Sequence, residues 1–153
     1  MKIKQILSRD SIIATLKAST KEEALKELAG LLISRCPEAT PEQLAAVLLE
    51  RERLGSTGIG NGVAIPHGKV SNLPQIVTGF GRSLRGISFD SQDGKPAHLF
   101  FVLLAPENAA SLHLKALARL SRLLKDVHFR NKLLEAANED EIYNDIISED
   151  EKF

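Results

Sequence analysis

The composition contains little that would by itself select a partner or a compartment. Twenty basic side chains balance 20 acidic ones among the 153 residues, so no net field favours nucleic acid or an anionic membrane, and partners must be recognised locally. The single cysteine, Cys36, permits no internal disulfide, which is typical of a reducing compartment. No repeat, linker or low-complexity segment divides the chain, and its length predicts one domain over residues 1–153.

Long apolar runs are also missing. The longest, Leu99–Ala105, has seven residues, far fewer than the roughly 20 that a transmembrane helix needs. The first ten residues, MKIKQILSRD, lack the apolar core of a signal peptide. We therefore expect a cytoplasmic protein that neither binds nucleic acid nor inserts directly into a membrane.

The most unusual stretch is residues 55–69, GSTGIGNGVAIPHGK, which contains five of the ten glycines. Glycine permits positive φ angles and lets a ligand approach backbone N–H groups closely. Pro66 fixes its own φ angle and biases Ile65 toward an extended conformation. The pattern therefore predicts a donor-rich loop followed by a short strand that presents His67 at its end.

Several familiar sites are excluded by spacing. Five residues separate Gly62 from Gly68 and Val70 follows Lys69, whereas a P-loop needs four residues and a hydroxyl side chain. The glycine spacing also misses the dinucleotide fingerprint by one residue. The four histidines are scattered and include no HExxH, and GSTGIG is not a nucleophile elbow. We expect no metal and no cofactor.

Phosphate remains the natural ligand of a glycine-rich loop that also carries hydroxyl groups and has an arginine nearby. Ser56 and Thr57 fit either a phosphate contact or an ordinary turn. An imidazole with a pKa near 6.5 is largely neutral in the cytoplasm, so one ring nitrogen can attack phosphorus if the other donates its N–H. Covalent phosphoryl transfer on His67 therefore fits best.

Periodicity predicts an α/β (α+β) fold, a three-layer α/β/α sandwich with a mixed β-sheet and the approximate order β-α-α-β-β-β-α-α-α. Helices are expected after the capping residues Thr20 and Thr40, with Arg51 extending the inward stripe of the second helix. The remaining expectations are strands over Ser11–Leu16, up to His67, over Ile76–Leu84 and over His98–Ala105, an exposed connection over Arg85–Pro96, helices beginning near Leu112, Asp126 and Asn138, and a frayed tail from Ser148 onward.

The chain resembles a known family over nearly its whole length. The residues that carry the resemblance are the GSTGIGNGVAIPHGK run, Arg51 before it, and LHLKAL with His113 after it. The family is the mannitol/fructose type (type 2) of IIA components of the bacterial phosphoenolpyruvate-dependent phosphotransferase system, in particular its nitrogen-regulatory branch. The resemblance implies that His67 accepts a phosphoryl group, on its Nε2 side, from an HPr-type phosphocarrier protein. It also implies that His113 donates a hydrogen bond to the phosphate and that Arg51 stabilises it. The predicted phosphate-binding residues are Ser56, Thr57 and Gly68.

Alternatives stay open at this point. Without the resemblance, the helical stripe around His113 favours a buried structural histidine, and Arg51 could simply complement a helix dipole. Two functions fit the family: a regulator whose phosphorylation state is read by other proteins, including potassium transporters, or a component of sugar uptake that passes phosphate to a permease IIB domain. The absence of a fused IIB domain favours the regulator. A relative that binds partners without transferring phosphate is disfavoured by the intact histidines.

Overall fold

Within residues 1–152, which the computed structural model describes, the chain forms six strands, five α-helices and two short 3₁₀ turns. The elements are a turn at Ile3–Gln5, β1 (Leu7–Ile13), α1 (Lys21–Leu32), a turn at Ile33–Arg35, α2 (Pro41–Arg53), β2 (Gly58–Gly60), β3 (Val63–Ala64), β4 (His67–Val70), β5 (Val77–Ile87), β6 (Ala97–Pro106), α3 (Ala110–Leu123), α4 (Val127–Glu135) and α5 (Glu139–Asp150). The predicted layered α/β fold is confirmed. Its element order differs, because the glycine-rich stretch contributes three short strands where one was expected.

The sheet is mixed, and β6 lies at its centre. One edge of β6 pairs antiparallel with β5, and β5 in turn pairs parallel with β1. The other edge pairs in parallel first with β3 and then with β4, while β2 is antiparallel to β3. Side chains of β6 alternate between two buried clusters, with Leu99 and Phe101 in one and Phe100 and Val102 in the other. A strand covered on both faces was predicted from this apolar run, and this prediction is confirmed.

Helices supply the two covering layers. Apolar residues of α1 and α2 belong to the cluster on one face of the sheet, and those of α3, α4 and α5 belong to the cluster on the other. Each fully buried leucine or isoleucine contributes roughly 1.5–3 kcal/mol relative to an exposed one. None of the helices within residues 1–152 combines the length and the apolar character needed to cross a bilayer.

The predicted helix starts are confirmed at their capping residues. Thr40 accepts a hydrogen bond from the Gln43 backbone N–H at 3.1 Å, and the Gln43 side chain accepts one from the Thr40 N–H at 2.9 Å. Thr20 caps α1 in the same way, but the Glu23 carboxylate reaches the Ser19 N–H, at 3.0 Å, instead of closing back on Thr20. Capping residues therefore located these helix starts within one residue.

Two predicted segments differ from the structure. β1 occupies Leu7–Ile13 and not Ser11–Leu16, because polar residues 8–10 form part of an edge strand with one side in solvent. The segment Arg85–Pro96 is not simply an exposed connection. Its first residues extend β5 to Ile87, and Phe89 is fully buried with its ring centroid 5.3 Å from that of Phe100. The many turn residues of this segment predicted an exposed loop and gave no indication that Phe89 is part of the core.

The predicted frayed tail is wrong from Ser148 to Asp150. Helix α5 continues to Asp150, whose side chain is buried and accepts hydrogen bonds from the Ile3 backbone N–H at 2.7 Å and from Arg119 Nε at 2.5 Å. This acidic end of the helix is ordered because Arg119 and the Ile3 backbone, 31 and 147 residues away in sequence, bind the Asp150 carboxylate. The prediction also included Phe153, which lies outside the described residues.

Candidate functional site

A cavity of about 780 Å³ opens between α2, β4 and α3. Arg51 reaches it from the last turn of α2, His67 and Gly68 reach it from β4, and His113 reaches it from the first turns of α3. The structure therefore brings together four of the six site residues expected from the sequence. Lys69, which the sequence analysis did not include in the site, also lines the cavity.

His67 opens β4 and does not end a strand as predicted. β3 stops at Ala64, Pro66 interrupts the pairing because it has no N–H, and β4 then begins beside the same central strand. The carbonyl oxygen of Pro66 still accepts a hydrogen bond from the Leu103 N–H at 2.9 Å. His67 is thus presented from a backbone that is fixed on both sides, with its ring half-buried at the cavity.

The neighbouring backbone determines the tautomer of His67. Its Nδ1 atom lies 2.8 Å from the carbonyl oxygen of Ile65. A carbonyl oxygen can only accept, so Nδ1 carries the proton and Nε2 keeps its lone pair in the neutral ring. This arrangement leaves Nε2 as the nucleophilic atom.

The ring of His113 lies beside that of His67. The ring centroids are 5.3 Å apart and the planes are inclined by 80°. His113 is only 7% exposed, and its Nε2 atom is buried without a hydrogen-bond partner among the described residues. A buried unpaired ring nitrogen costs free energy, and next to a nucleophilic imidazole it marks a place for a polar ligand atom.

Arg51 and Gly68 define the α2 side of the cavity. The Arg51 Nη1 atom donates to the Gly55 carbonyl oxygen at 2.9 Å, which holds the guanidinium beside the start of the glycine-rich segment. A Cβ atom at Gly68 would lie 2.4 Å from Val47 Cγ1, so a larger residue would force the Val47 side chain to move. Gly68 therefore leaves room for Val47 at the α2 wall of the cavity.

The structure does not bring Ser56 and Thr57 to the cavity. The Ser56 hydroxyl donates to the Phe89 carbonyl oxygen at 2.6 Å, and the Thr57 hydroxyl donates to the Glu52 carboxylate. Neither residue lines the cavity with His67. These two expected phosphate contacts are therefore replaced by internal hydrogen bonds that shape the loop.

Sequence reasoning overlooked Glu52, which follows Arg51 on α2. The inward stripe of α2 is Leu44, Leu48 and Glu52 at intervals of four residues, and Arg51 lies at its flank. The signal that could have found Glu52 was this spacing, because a charged residue continuing an apolar stripe must be paired where it is buried.

Burial controls the electrostatics of the two histidines. Desolvation lowers the pKa of His67, and the positive charge of Arg51 lowers it further, whereas the bond to Ile65 and the charge of Glu52 raise it. Desolvation also lowers the pKa of His113, assisted by the nearby His67, Lys69 and Arg51. Both rings are therefore neutral at pH 7. No cluster of three or more metal-ligating side chains occurs within residues 1–152.

We expect the His67 and His113 rings to titrate below the ordinary histidine value of about 6.5. Because the folded state disfavours the protonated rings, the unfolding free energy contributed by these groups is present above pH 6.5 and is lost as the pH falls toward the lowered pKa values. Ring titrations by NMR, referenced to the same residues in urea-unfolded protein, measure both shifts. Midpoints at or above the unfolded values would contradict this account.

The rim of the cavity is apolar and unusually exposed. Leu54 is 82% exposed and Leu114 is 69% exposed, and both line the cavity beside Arg51 and Lys69. Large apolar side chains in solvent around a polar site favour contact with another protein surface. The cavity therefore combines a nucleophilic imidazole, positively charged side chains that can bind an anion, and exposed leucines at its rim.

Comparison with known proteins finds one family and several close relatives. The family model described as "Phosphoenolpyruvate-dependent sugar phosphotransferase system, EIIA 2" matches residues 5–149. A nitrogen regulatory protein from Bradyrhizobium diazoefficiens is 44% identical over 147 residues, covering 94% of each chain. The fructose-specific EIIABC component of Bacillus subtilis is 40% identical over 152 residues, covering 99% of this chain and 24% of that protein. The crystal structure of nitrogen regulatory protein IIA-Ntr from Neisseria meningitidis superimposes with a TM-score of 0.87 at 33% identity, covering 93% of this chain and 97% of that one.

Proposed function

The chain belongs to the EIIA type 2 family of the phosphoenolpyruvate-dependent sugar phosphotransferase system, and we propose that it carries a phosphoryl group transiently on Nε2 of His67. The observation that carries this proposal is the pairing of the two imidazoles. His67 has a free Nε2 lone pair because its Nδ1–H donates to the Ile65 carbonyl oxygen. His113 has a buried Nε2 without a partner among the described residues, and the two ring centroids are 5.3 Å apart.

The transfer is an in-line displacement between two histidines. The lone pair of His67 Nε2 attacks phosphorus while the N–P bond to the donor's imidazole breaks and its electron pair returns to the donor ring. His67 keeps its Nδ1 proton and becomes a cationic phosphoimidazole, while the donor changes from that form to a neutral ring, so protons and charge balance. His113 donates to a phosphoryl oxygen, and Arg51 offsets the charge of the oxygens.

The donor is an HPr-type phosphocarrier protein that docks on the apolar rim. Leu54 and Leu114 lie exposed at the rim of the cavity, where a partner surface can contact them. Arg51 and Lys69 provide positive charge for the incoming phosphoryl group. Gly68 contributes its close-packed backbone to the cavity wall. Ser56 and Thr57 take no part in phosphate binding in this proposal, because their hydroxyl groups are bound elsewhere.

We further propose that other proteins read the phosphorylation state, so that the chain acts as a regulator linked to nitrogen and potassium metabolism. The support is the likeness over almost full length to proteins named nitrogen regulatory protein. The phosphoryl oxygens carry about two negative charges, only partly offset by the cationic ring, into a cavity that Arg51 and Lys69 also line. This change is enough to create or abolish a protein contact. The second candidate is sugar uptake through a permease IIB domain, and the fructose-specific EIIABC relative favours it.

Incubation with phosphoenolpyruvate and the two upstream phosphotransfer proteins tests the proposal. We expect one acid-labile phosphoryl group per chain, and slower transfer for His113→Gln, which removes the second ring. Failure of the wild-type chain to accept label from the phosphorylated HPr-type donor would refute the proposal. Two experiments separate the two candidate functions. Efficient transfer of the label from the chain to a purified IIB domain supports sugar transport. Capture of a partner by only the phosphorylated or only the unphosphorylated chain in a pull-down supports regulation.

A further inference from the structure

Glu52 is a buried carboxylate next to the site, and the transfer described above does not use it. Its side chain is 4% exposed and forms an ion pair with Lys21 Nζ at 2.9 Å, which supplies its countercharge. Lys21 lies at the first position of α1, and its ammonium group is 4.7 Å from the centroid of the Phe89 ring. The Lys21 side chain is 22% exposed, so the carboxylate of Glu52 is the buried member of the pair.

Three successive hydrogen-bonded contacts, joined through the backbone of Thr57 and Ile65, link Glu52 with His67. The Glu52 carboxylate accepts from the Thr57 backbone N–H at 3.1 and 3.2 Å and from the Thr57 hydroxyl. The Thr57 carbonyl oxygen accepts from the Ile65 N–H at 3.0 Å. The Ile65 carbonyl oxygen accepts from His67 Nδ1 at 2.8 Å. Every bond is donated in the same direction, from the imidazole toward the carboxylate.

We propose that Glu52 is the positioning residue of His67, acting through Thr57 and Ile65 to fix the Nδ1–H tautomer and to stabilise the cationic ring that transfer produces. The proposal rests on the proposed phosphoryl transfer for its kinetic consequence. It also gives Thr57 a function in the site without a phosphate contact. The N–H and the C=O of Thr57, like those of Ile65, belong to different peptide groups, so Glu52 acts by fixing the position of this backbone and thereby the Ile65 carbonyl against Nδ1. Its charge also attracts the protonated ring.

Glu52 differs in charge or in burial from the other charged groups around His67. Arg51 on α2 and Lys69 on β4 add positive charge at the cavity, and His113 on α3 presents a neutral ring. Glu50 also lines the cavity, but its side chain is 71% exposed and pairs with Arg53. Among these charged groups Glu52 is the buried carboxylate, and although Lys21 already pairs with it, its charge still attracts the ring of His67. It would therefore help to balance a phosphoimidazole cation, much as the carboxylate of a catalytic triad orients and stabilises its histidine.

Glu52→Gln is the sharpest test, because the amide oxygen can still accept from Thr57 while the charge is lost. We expect phosphoryl transfer to His67 to slow about tenfold, the lower end of the range seen when a metal-bound histidine loses its hydrogen-bond partner, with the loss in kcat and little change in KM for the donor. We also expect ¹⁵N ring shifts to show a smaller fraction of the Nδ1–H tautomer, and the pKa of His67 to fall further because the attraction of Glu52 is removed.

Asp150→Asn is the matched control, because it removes another buried, cation-paired carboxylate that contacts the N-terminal turn and α3 instead of the site. It is expected to lower stability without changing the tautomer or pKa of His67. If Glu52→Gln does not fold, Thr57→Val, which removes the hydroxyl donor to Glu52, carries the same tautomer measurement. A folded variant with unchanged tautomer and unchanged His67 pKa would overturn the proposal, whatever its rate. The tautomer measurement needs no phosphoryl donor, so it stands even if wild-type His67 proves not to be phosphorylated.

Discussion

His67→Gln is expected to abolish phosphoryl acceptance entirely while leaving the protein folded. The nucleophile is a specific lone pair on His67 Nε2, exposed because Nδ1–H is bound to the Ile65 carbonyl oxygen at 2.8 Å. A glutamine amide can still donate to that carbonyl but has no basic nitrogen to form an N–P bond. Label transferred from a phosphorylated HPr-type donor, measured as acid-labile phosphate per chain, should fall to background.

His128→Ala is the matched control for this experiment, because His128 is an exposed histidine on α4 and does not line the cavity. It should accept label at the wild-type rate. The free energy of unfolding of both variants should lie within about 1 kcal/mol of the wild-type value, as expected for residues that are not fully buried. If His67→Gln accepted acid-labile label, the phosphoryl group would have to be on another residue. His113, 5.3 Å away between ring centroids, would then be the first residue to examine.

The presented histidine and the fold were accessible from the sequence because local rules determine them. The dipeptide at Pro66 and His67 restricts its own backbone, and capping residues such as Thr40 define helix starts independently of tertiary contacts. The run in β6 is apolar on both alternating faces, which only a strand covered on both sides accommodates. Each of these signals is read within about ten residues of chain.

The roles of the hydroxyl residues were not accessible in the same way. A loop rich in glycine, Ser56 and Thr57 has the composition of a phosphate cradle, but composition does not say which way a hydroxyl points. The orientation is decided by Phe89 and Glu52, which approach from distant parts of the chain and accept those hydrogen bonds. The C-terminal helix presents the same problem, since Asp150 is ordered by Ile3 and Arg119.

Arg82 is the clearest buried residue whose importance no local pattern revealed. It lies in β5, is 4% exposed, and its guanidinium donates to the carbonyl oxygens of Ala14, Leu133, Leu134 and Ala136 at 2.7–3.3 Å. Three of those carbonyls are at the C-terminal end of α4, where helical carbonyls have no internal partners and carry the negative end of the helix dipole. A helix terminus therefore takes the place of a carboxylate as the partner of this buried cation.

Arg82→Met is consequently expected to be among the most destabilising single substitutions in the protein, at about 3–5 kcal/mol. Methionine fills much of the same space but leaves several buried carbonyls without donors, and each unsatisfied group costs about 1–3 kcal/mol. For a chain of this length, a loss of that size lowers the melting temperature by at least about 6 °C. Urea unfolding followed by circular dichroism gives the free energy, and an unchanged slope confirms that the folded state is intact.

Arg85→Met, three residues along the same strand but exposed to solvent, is the control for the arginine-to-methionine change. It should change stability by no more than about 0.5 kcal/mol, because an exposed substitution away from buried polar groups disturbs little. Arg82→Lys should fall between the two, since an ammonium group on a flexible stem keeps the charge but cannot bridge Ala14 and α4 with a planar fork. Equal stabilities for Arg82→Met and Arg85→Met would mean that the α4 carbonyls find other donors, and that Arg82 fills space without joining β5 to the end of that helix.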